Sequence, residues 1–285
     1  MSRIAYVNGR YLPQADATVH IEDRGYQFAD GVYEVIAVHK GRPIDADGHM
    51  ERLDRSLREL RIAWPMSRRS LGVVLAETIR RNGLEEGMLY LQVTRGVAPR
   101  DHVFPTHAKS SLVVTARRKA APDRATQAKG AAVITVPDIR WKRCDIKTIS
   151  LIANVLAKQA AKEKGAYEAW LVDAEGRVTE GSASNAWIVT AKGELVTRQL
   201  DDLILGGITR AAVLKLAGEQ GIRFVERAFT VAEALKAREA IATGSTTLVK
   251  PVVSIDGHKV GDGKAGPVTL RLLDLYLAHM EEQAS

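Results

Sequence analysis

The sequence predicts an α+β chain of two domains, and three observations carry that prediction. At 285 residues it exceeds the usual span of a single core. Runs with strand-like alternation and runs with helical spacing succeed one another along its length. Between Arg117 and Lys129 the apolar period lapses into an Ala-, Lys- and Pro-containing stretch, which places a junction there. The expected division is a small N-terminal α/β domain over 1–120 and a larger C-terminal domain over 121–285, with a linker at about 118–129.

The opening segment reads as strands. Ile4 to Val7 and Tyr11-Leu12 flank Asn8-Gly9, a dipeptide that favours a tight hairpin turn, and Val32 to Val38 is a β-branched run. Asp47 precedes a helix in which Met50, Leu53, Leu57 and Leu60 recur at three- and four-residue spacing. A second helix is expected from Arg68 to Asn82, closed by Gly83. Leu89, Leu91 and Val93 alternate as a strand does, and Leu112 to Thr115 is another. Strand character restarts at Val133 to Val136. An Ala-rich helix then runs from Leu151 to Lys164, stopped by Gly165, before strands at Ala169 to Val172 and Ala186 to Val189. Gly206-Gly207 introduces a helix over Thr209 to Gln220, Thr230 and Glu233 form a capping box, Asp256-Gly257 marks a hairpin, and Pro267 opens the last helix.

Composition removes several classes. No apolar run approaches the roughly 18 residues that a membrane span requires. The N-terminus enters a strand pattern directly, without a signal core, so the expected compartment is the cytoplasm. Cys144 is the only cysteine and has neither a disulfide partner nor a metal cluster around it. A net charge of +7 raises nucleic acid as a partner. Its cations are interleaved with acids, as in Glu51-Arg52-Leu53-Asp54-Arg55, which reads as a solvated mixed surface rather than a phosphate-binding face.

Three segments carry chemistry. Lys147 lies in Ile139-Arg140-Trp141-Lys142-Arg143-Cys144-Asp145-Ile146-Lys147-Thr148, before Val178-Thr179-Glu180-Gly181-Ser182-Ala183-Ser184-Asn185. Glu180 is expected in a turn of small residues between two strand-like runs. An amine with a carboxylate is the pairing that pyridoxal-phosphate chemistry requires, the first for the cofactor aldehyde and the second for its ring nitrogen. Taken singly, Lys147 reads equally as a surface lysine and Glu180 as an exposed turn glutamate. The third segment is Glu22-Asp23-Arg24-Gly25-Tyr26-Gln27-Phe28-Ala29-Asp30-Gly31-Val32-Tyr33-Glu34.

Together these segments resemble the fold-type IV pyridoxal-phosphate aminotransferases, from about Tyr6 to the final helix. The resemblance implies a C-terminal pseudobarrel with flanking helices and a homodimer. It makes Lys147 the cofactor anchor and proton shuttle, Glu180 the partner of the ring nitrogen, and Asn185 an organiser of the turn. It assigns the phosphate to Arg52, to Ile208 and Thr209 at a helix N-terminus, and to Ser245. A helix N-terminus is also a physical anion site. Unaided, Arg52 reads as a surface partner of Glu51 or Asp54. Gly244 stands where the bacterial D-specific enzymes have a serine, and Lys250 stands where a small or acidic residue is expected.

Substrate choice rests on Val93-Thr94-Arg95-Gly96-Val97-Ala98-Pro99-Arg100-Asp101-His102-Val103. Arg100 and His102, with Tyr33, match the α-carboxylate trap of D-amino-acid aminotransferases; by themselves they read as a solvated loop. The resemblance implies transfer between D-alanine or similar D-amino acids and 2-oxoglutarate. The rivals of the same fold are branched-chain L-amino-acid and (R)-amine transaminases and aminodeoxychorismate lyase. Outside enzymes, the alternatives are a pyridoxal-phosphate-binding protein without turnover and a basic nucleic-acid-binding module.

Overall fold

A computed structural model describes residues 3–285; the first two residues of the expected small domain lie outside the described residues. The chain packs as two compact units. Unit 1 holds the residues up to Ala121 together with Ile146–Ser150 and Glu281–Ser285, and unit 2 holds Pro122–Asp145 and Leu151–Met280. The segment that carries Lys147 therefore belongs to unit 1.

Unit 1 contains β1 (Ile4–Val7), β2 (Arg10–Pro13), α1 (Arg24–Phe28), β3 (Gly31–His39), β4 (Arg42–Pro43), α2 (Ala46–Glu59), α3 (Arg68–Asn82), β5 (Gly87–Thr94) and β6 (Ser111–Arg118). Its six strands form an antiparallel sheet in the order β2-β1-β6-β5-β3-β4. Asn8 and Gly9 take φ values of 46° and 96°, the left-handed pair that a two-residue hairpin needs. Helix α3 has the expected limits, because Ser67 Oγ accepts from Ser70 N at 3.1 Å and Gly83 closes the helix at φ 49°. Helix α2 begins two residues earlier than expected, with Asp47 inside its first turn and Asp45 at the cap. A short helix, α1, stands where only strands were expected; the Asp23 carboxylate caps it by accepting from Gly25 N at 2.8 Å.

Leu53, Leu57, Leu71, Leu75, Leu89, Leu91 and Val93 meet in one core under the sheet. Each such burial stabilises by about 1.5–3 kcal/mol. Alternation along β3 sends Val32, Glu34 and Ile36 inward together, all at 0% exposure.

Unit 2 contains α4 (Arg124–Ala128), β7 (Ala131–Pro137), α5 (Ile152–Glu163), β8 (Glu168–Val172), β9 (Arg177–Gly181), β10 (Asn185–Val189), β11 (Leu195–Thr197), α6 (Ile208–Glu219), β12 (Phe224–Glu226), β13 (Phe229–Thr230), α7 (Val231–Leu235), β14 (Glu239–Gly244), β15 (Leu248–Ile255), β16 (His258–Lys259) and α8 (Pro267–Ala284), whose end from Glu281 is counted with unit 1. Ten strands form one curled, half-barrel sheet along β12-β11-β10-β14-β15-β7-β8-β9-β13, with β16 beside β15. The fold is the α+β fold type IV expected. β7 runs parallel to both β8 and β15, and α5 makes the crossover between β7 and β8. Thr230 Oγ1 accepts from Glu233 N at 3.1 Å as the capping box requires, while the Glu233 carboxylate turns to Arg227.

Candidate active site

In unit 1 the site residues gather around one buried carboxylate. Glu34 is fully buried and takes Arg52 in a two-pronged bond, Nε to Oε1 at 2.8 Å and the second guanidinium nitrogen to Oε2 at 2.7 Å. His49 Nδ1 lies 2.7 Å from Glu34 Oε2. Burial alone raises the Glu34 carboxyl, but the Arg52 charge and the bonds from Arg52 and His49 outweigh it and hold it at about 2. The same burial lowers His49, which is thus neutral and donates through Nδ1–H. Arg52 is therefore fixed by Glu34, and the pattern-based assignment to Glu51 or Asp54 is wrong: those two carboxylates take Arg68, at 2.5 and 3.6 Å.

Lys147 is positioned from its backbone. Its N–H donates to Ser56 Oγ at 3.2 Å on α2, and its carbonyl accepts from Tyr33 N at 3.0 Å on β3. Its ammonium lies 4.3 Å from the Tyr33 ring centroid. Tyr33 in turn packs on Tyr90, ring centroids 5.6 Å apart. Strand register explains the arrangement: Glu34 faces the core while its neighbour Tyr33 faces the lysine.

Arg100 and His102 form a second group in the same unit, gathered on the Phe28 ring. The Arg100 guanidinium is 4.5 Å from the ring centroid, and the His102 ring is 5.4 Å away. Both side chains are on an exposed loop.

In unit 2, Glu180 is buried at the end of β9 rather than standing in the following turn. Arg140 pairs with it, Asn185 Nδ2 donates to Oε2 at 3.1 Å, and Leu205 N donates at 3.2 Å. Arg140 is held by Asp138, with a guanidinium nitrogen 2.7 Å from Oδ2. Asp138 stays below the usual carboxylate range: burial raises it, but Arg140 and Thr179 overcome that. Sequence reading missed Asp138, Arg140, Glu34 and His49. Asp138 beside Arg140 was a local signal for an ion pair, but nothing local tied that pair to Glu180, which lies 40 residues on. Glu34 had one, a charge in the inward register of an apolar strand.

The turn after Glu180 is small because it packs on itself. A Cβ at Gly181 would lie 2.3 Å from Ser184 Oγ, and Ser182 and Ser184 both donate to buried Glu168. Gly207 is required for a similar reason: its Cβ would fall 2.0 Å from Asn185 Oδ1. Gly207 caps α6, and no side chain caps this end among the described residues. The first-turn N–H groups of Ile208 and Thr209 thus make a physical anion site. Thr209 is buried, whereas Arg210 turns away to Glu226 at 2.5 Å. Ser245 lies half-buried in the β14–β15 turn. A serine in place of Gly244 would meet Ala183 O at 3.3 Å, so the backbone does not demand glycine there. Lys250 is half-buried, 5.9 Å from the Tyr167 ring centroid, and burial lowers its pKa.

Residues 31–255 match the family Amino-transferase class IV. The chain belongs to the class IV aminotransferases. Class IV membership makes it an enzyme that transfers an amino group. The D-alanine aminotransferase of Listeria monocytogenes serotype 4b (strain F2365) is 42% identical over 273 residues, covering 95% of this chain and 94% of that protein. That of Bacillus licheniformis is 42% identical over 262 residues, 92% of each. Among solved structures, the branched-chain aminotransferase of the thermophilic archaeon Thermoproteus uzoniensis with norvaline superposes with a TM-score of 0.87 at 28% identity, covering 99% of this chain and 96% of that one.

Proposed function

We propose that this class IV aminotransferase exchanges the amino group of D-alanine or a related D-amino acid with 2-oxoglutarate, using pyridoxal 5'-phosphate, as a cytoplasmic homodimer. The observation that carries the substrate class is the gathering of Arg100 and His102 on one ring, which presents two nitrogen-bearing side chains together for a carboxylate. The 42% identity to D-alanine aminotransferases over most of the chain supports it.

The residues fit the cofactor on two observations, the N-terminus of α6, which no side chain caps among the described residues, for a phosphate, and the buried Glu180–Arg140 pair for a ring nitrogen. When bound, the cofactor supplies an aldehyde for the substrate amine and a ring that withdraws electrons from its Cα. Lys147 is assigned the anchoring amine and, once released, the proton at the substrate Cα. Glu180 accepts the hydrogen bond of the ring nitrogen, with Arg140 and Asn185 fixing its two oxygens. Arg52, aimed by Glu34, is assigned to the phosphate from unit 1, and the α6 N–H groups of Ile208 and Thr209 with Ser245 from unit 2. Tyr33, Arg100 and His102 take the substrate carboxylate. The division at residue 120, with its linker at 118–129, is supported by the change of unit between Ala121 and Pro122.

Two observations support a dimer. On α5, Ile152, Val155 and Leu156 expose 70, 57 and 55% of their surface along one face, and Trp141 exposes 46%. In unit 1, Ile21, Tyr26 and Val103 expose more than 70%. For the cytoplasm, the support is that no described helix is long and apolar enough to cross a membrane.

The deciding assay offers D-alanine, L-leucine and a simple amine with 2-oxoglutarate. Pyruvate with D-glutamate is the expected product pair. Faster turnover of L-leucine would favour the branched-chain reading, in keeping with the fold match to that enzyme. The dimer is tested by co-expressing Lys147→Ala with Arg100→Ala/His102→Ala. If the loop serves the partner's site, random pairing returns about one quarter of wild-type activity.

A further inference from the structure

Arg100 and His102 lie in an irregular exposed segment, and a long arginine side chain in such a place ordinarily samples many rotamers. Here a scaffold behind the loop restrains both. Phe28 ends α1, and two guanidiniums lie within 5 Å of its ring centroid, Arg100 at 4.5 Å and Arg24 at 4.8 Å. The His102 ring packs at 5.4 Å and 51°. The ring face attracts the Arg100 cation and the His102 ring packs on the same ring, so one platform holds both side chains.

Arg24 fixes the backbone of the same loop. It is 3% exposed, and one guanidinium nitrogen donates to Asp101 O at 2.5 Å and Val103 O at 3.4 Å, the carbonyls that bracket His102. Its Nε donates to Asp30 Oδ2 at 2.8 Å, and Arg95 holds the same carboxylate at 2.7 and 2.9 Å. Arg95 also stacks over Phe104 at 3.6 Å, at the far end of the loop.

We propose that Phe28 and Arg24 are positioning residues for substrate selection: Phe28 orients the side chains of Arg100 and His102, and Arg24 sets the loop backbone between them. The inference rests on the carboxylate role given to Arg100 and His102 above. Preorganisation of this kind strengthens ligand binding by removing the cost of ordering the loop at each encounter. It acts on ground state and transition state alike, so it is read in KM rather than kcat.

The test compares wild type, Phe28→Leu, Phe28→Met, Phe28→Tyr and Arg100→Ala/His102→Ala, all as holoenzymes, with D-alanine and 2-oxoglutarate. Phe28→Leu and Phe28→Met are expected to raise both KM values about five- to tenfold with kcat within about twofold, the scale of one cation–π contact. Phe28→Tyr keeps the ring and should return KM to within about twofold of wild type. Added to Arg100→Ala/His102→Ala, Phe28→Leu should have no further effect on KM, because the side chains it orients are gone. If Phe28→Leu leaves KM unchanged while the double variant raises it, the positioning role is wrong and the carboxylate reading stands. Additive losses, or a fall in kcat with KM unchanged, also overturn the positioning role. If the double variant itself leaves KM unchanged, the carboxylate reading fails and this inference falls with it. Phe28→Met conserves volume without the ring and serves should Phe28→Leu not fold.

Discussion

Glu34 and Arg100 are both charged residues of unit 1, and their surroundings are opposite. Glu34 has no exposed surface and is held by a two-pronged guanidinium and an imidazole. Arg100 is exposed and held against one ring. Arg52 and Glu180, both assigned to the cofactor, are thus locked by low-dielectric ion pairs, where loss of one partner strands a charge. The groups assigned to the substrate rest on weaker, replaceable contacts at the surface. The first region tolerates little change and the second tolerates much, which suits a scaffold whose chemistry is constant while its substrate changes.

The largest effect should come from the cofactor side of this contrast. Lys147→Ala is expected to lower turnover by at least ~10⁴-fold, since imine exchange and acid–base catalysis fail together. Borohydride reduction of the holoenzyme followed by peptide mapping should place the cofactor on Lys147; a label on Lys250 would end that assignment.

Next in size is Glu34→Gln, which takes the Glu34 charge from the largely buried Arg52 guanidinium and should destabilise the protein by about 3 kcal/mol in urea unfolding. The pH dependence gives an independent reading. Glu34 moves from 4.5 to about 2 on folding, so its ionisation stabilises the fold above the unfolded value and that stability is lost as pH falls through about 2. The interval is worth about 3 kcal/mol, and Glu34→Gln should flatten this acid limb. An unchanged limb would mean that another carboxylate carries it.

A smaller effect is expected at Ala29, which closes α1 at φ 55° beside the Phe28 platform. Glycine removes the left-handed Cβ strain, and Ala29→Gly should stabilise by about 1 kcal/mol. The smallest belongs to the loop. Arg100→Ala/His102→Ala should change unfolding free energy by no more than about 0.5 kcal/mol while impairing substrate binding. A larger loss of stability would erase the contrast between the two regions.

What the sequence made legible follows the same division. Helix α3 was readable to the residue because both limits are set locally, Ser67 capping its start and Gly83 closing its end. Helix α1 was not, because five residues carry no period and it depends on the Asp23 cap and on buried Arg24. Glu180 was readable as chemistry but misplaced in a turn, since the small residues after it masked that Glu180 lies within β9, which runs on to Gly181. Arg52 was legible only by resemblance: its partner Glu34 lies on β3, and no helix-spacing rule connects them. The Phe28 platform was invisible for a stronger reason, because Phe28 and Arg100 meet only after the chain has built the sheet between them.

Cys144 has a practical consequence for following that loop. It is the only cysteine, it is 8% exposed, its Sγ donates to Trp141 O at 3.0 Å, and burial pushes its thiol up to about 12. At neutral pH its thiolate fraction is on the order of 10⁻⁵, too small for ready alkylation. The wild-type chain is therefore already a silent background for maleimide dyes. A single cysteine introduced at His107, an exposed position of the same loop, would carry the only reactive label, and its fluorescence would report the loop's surroundings as substrate binds.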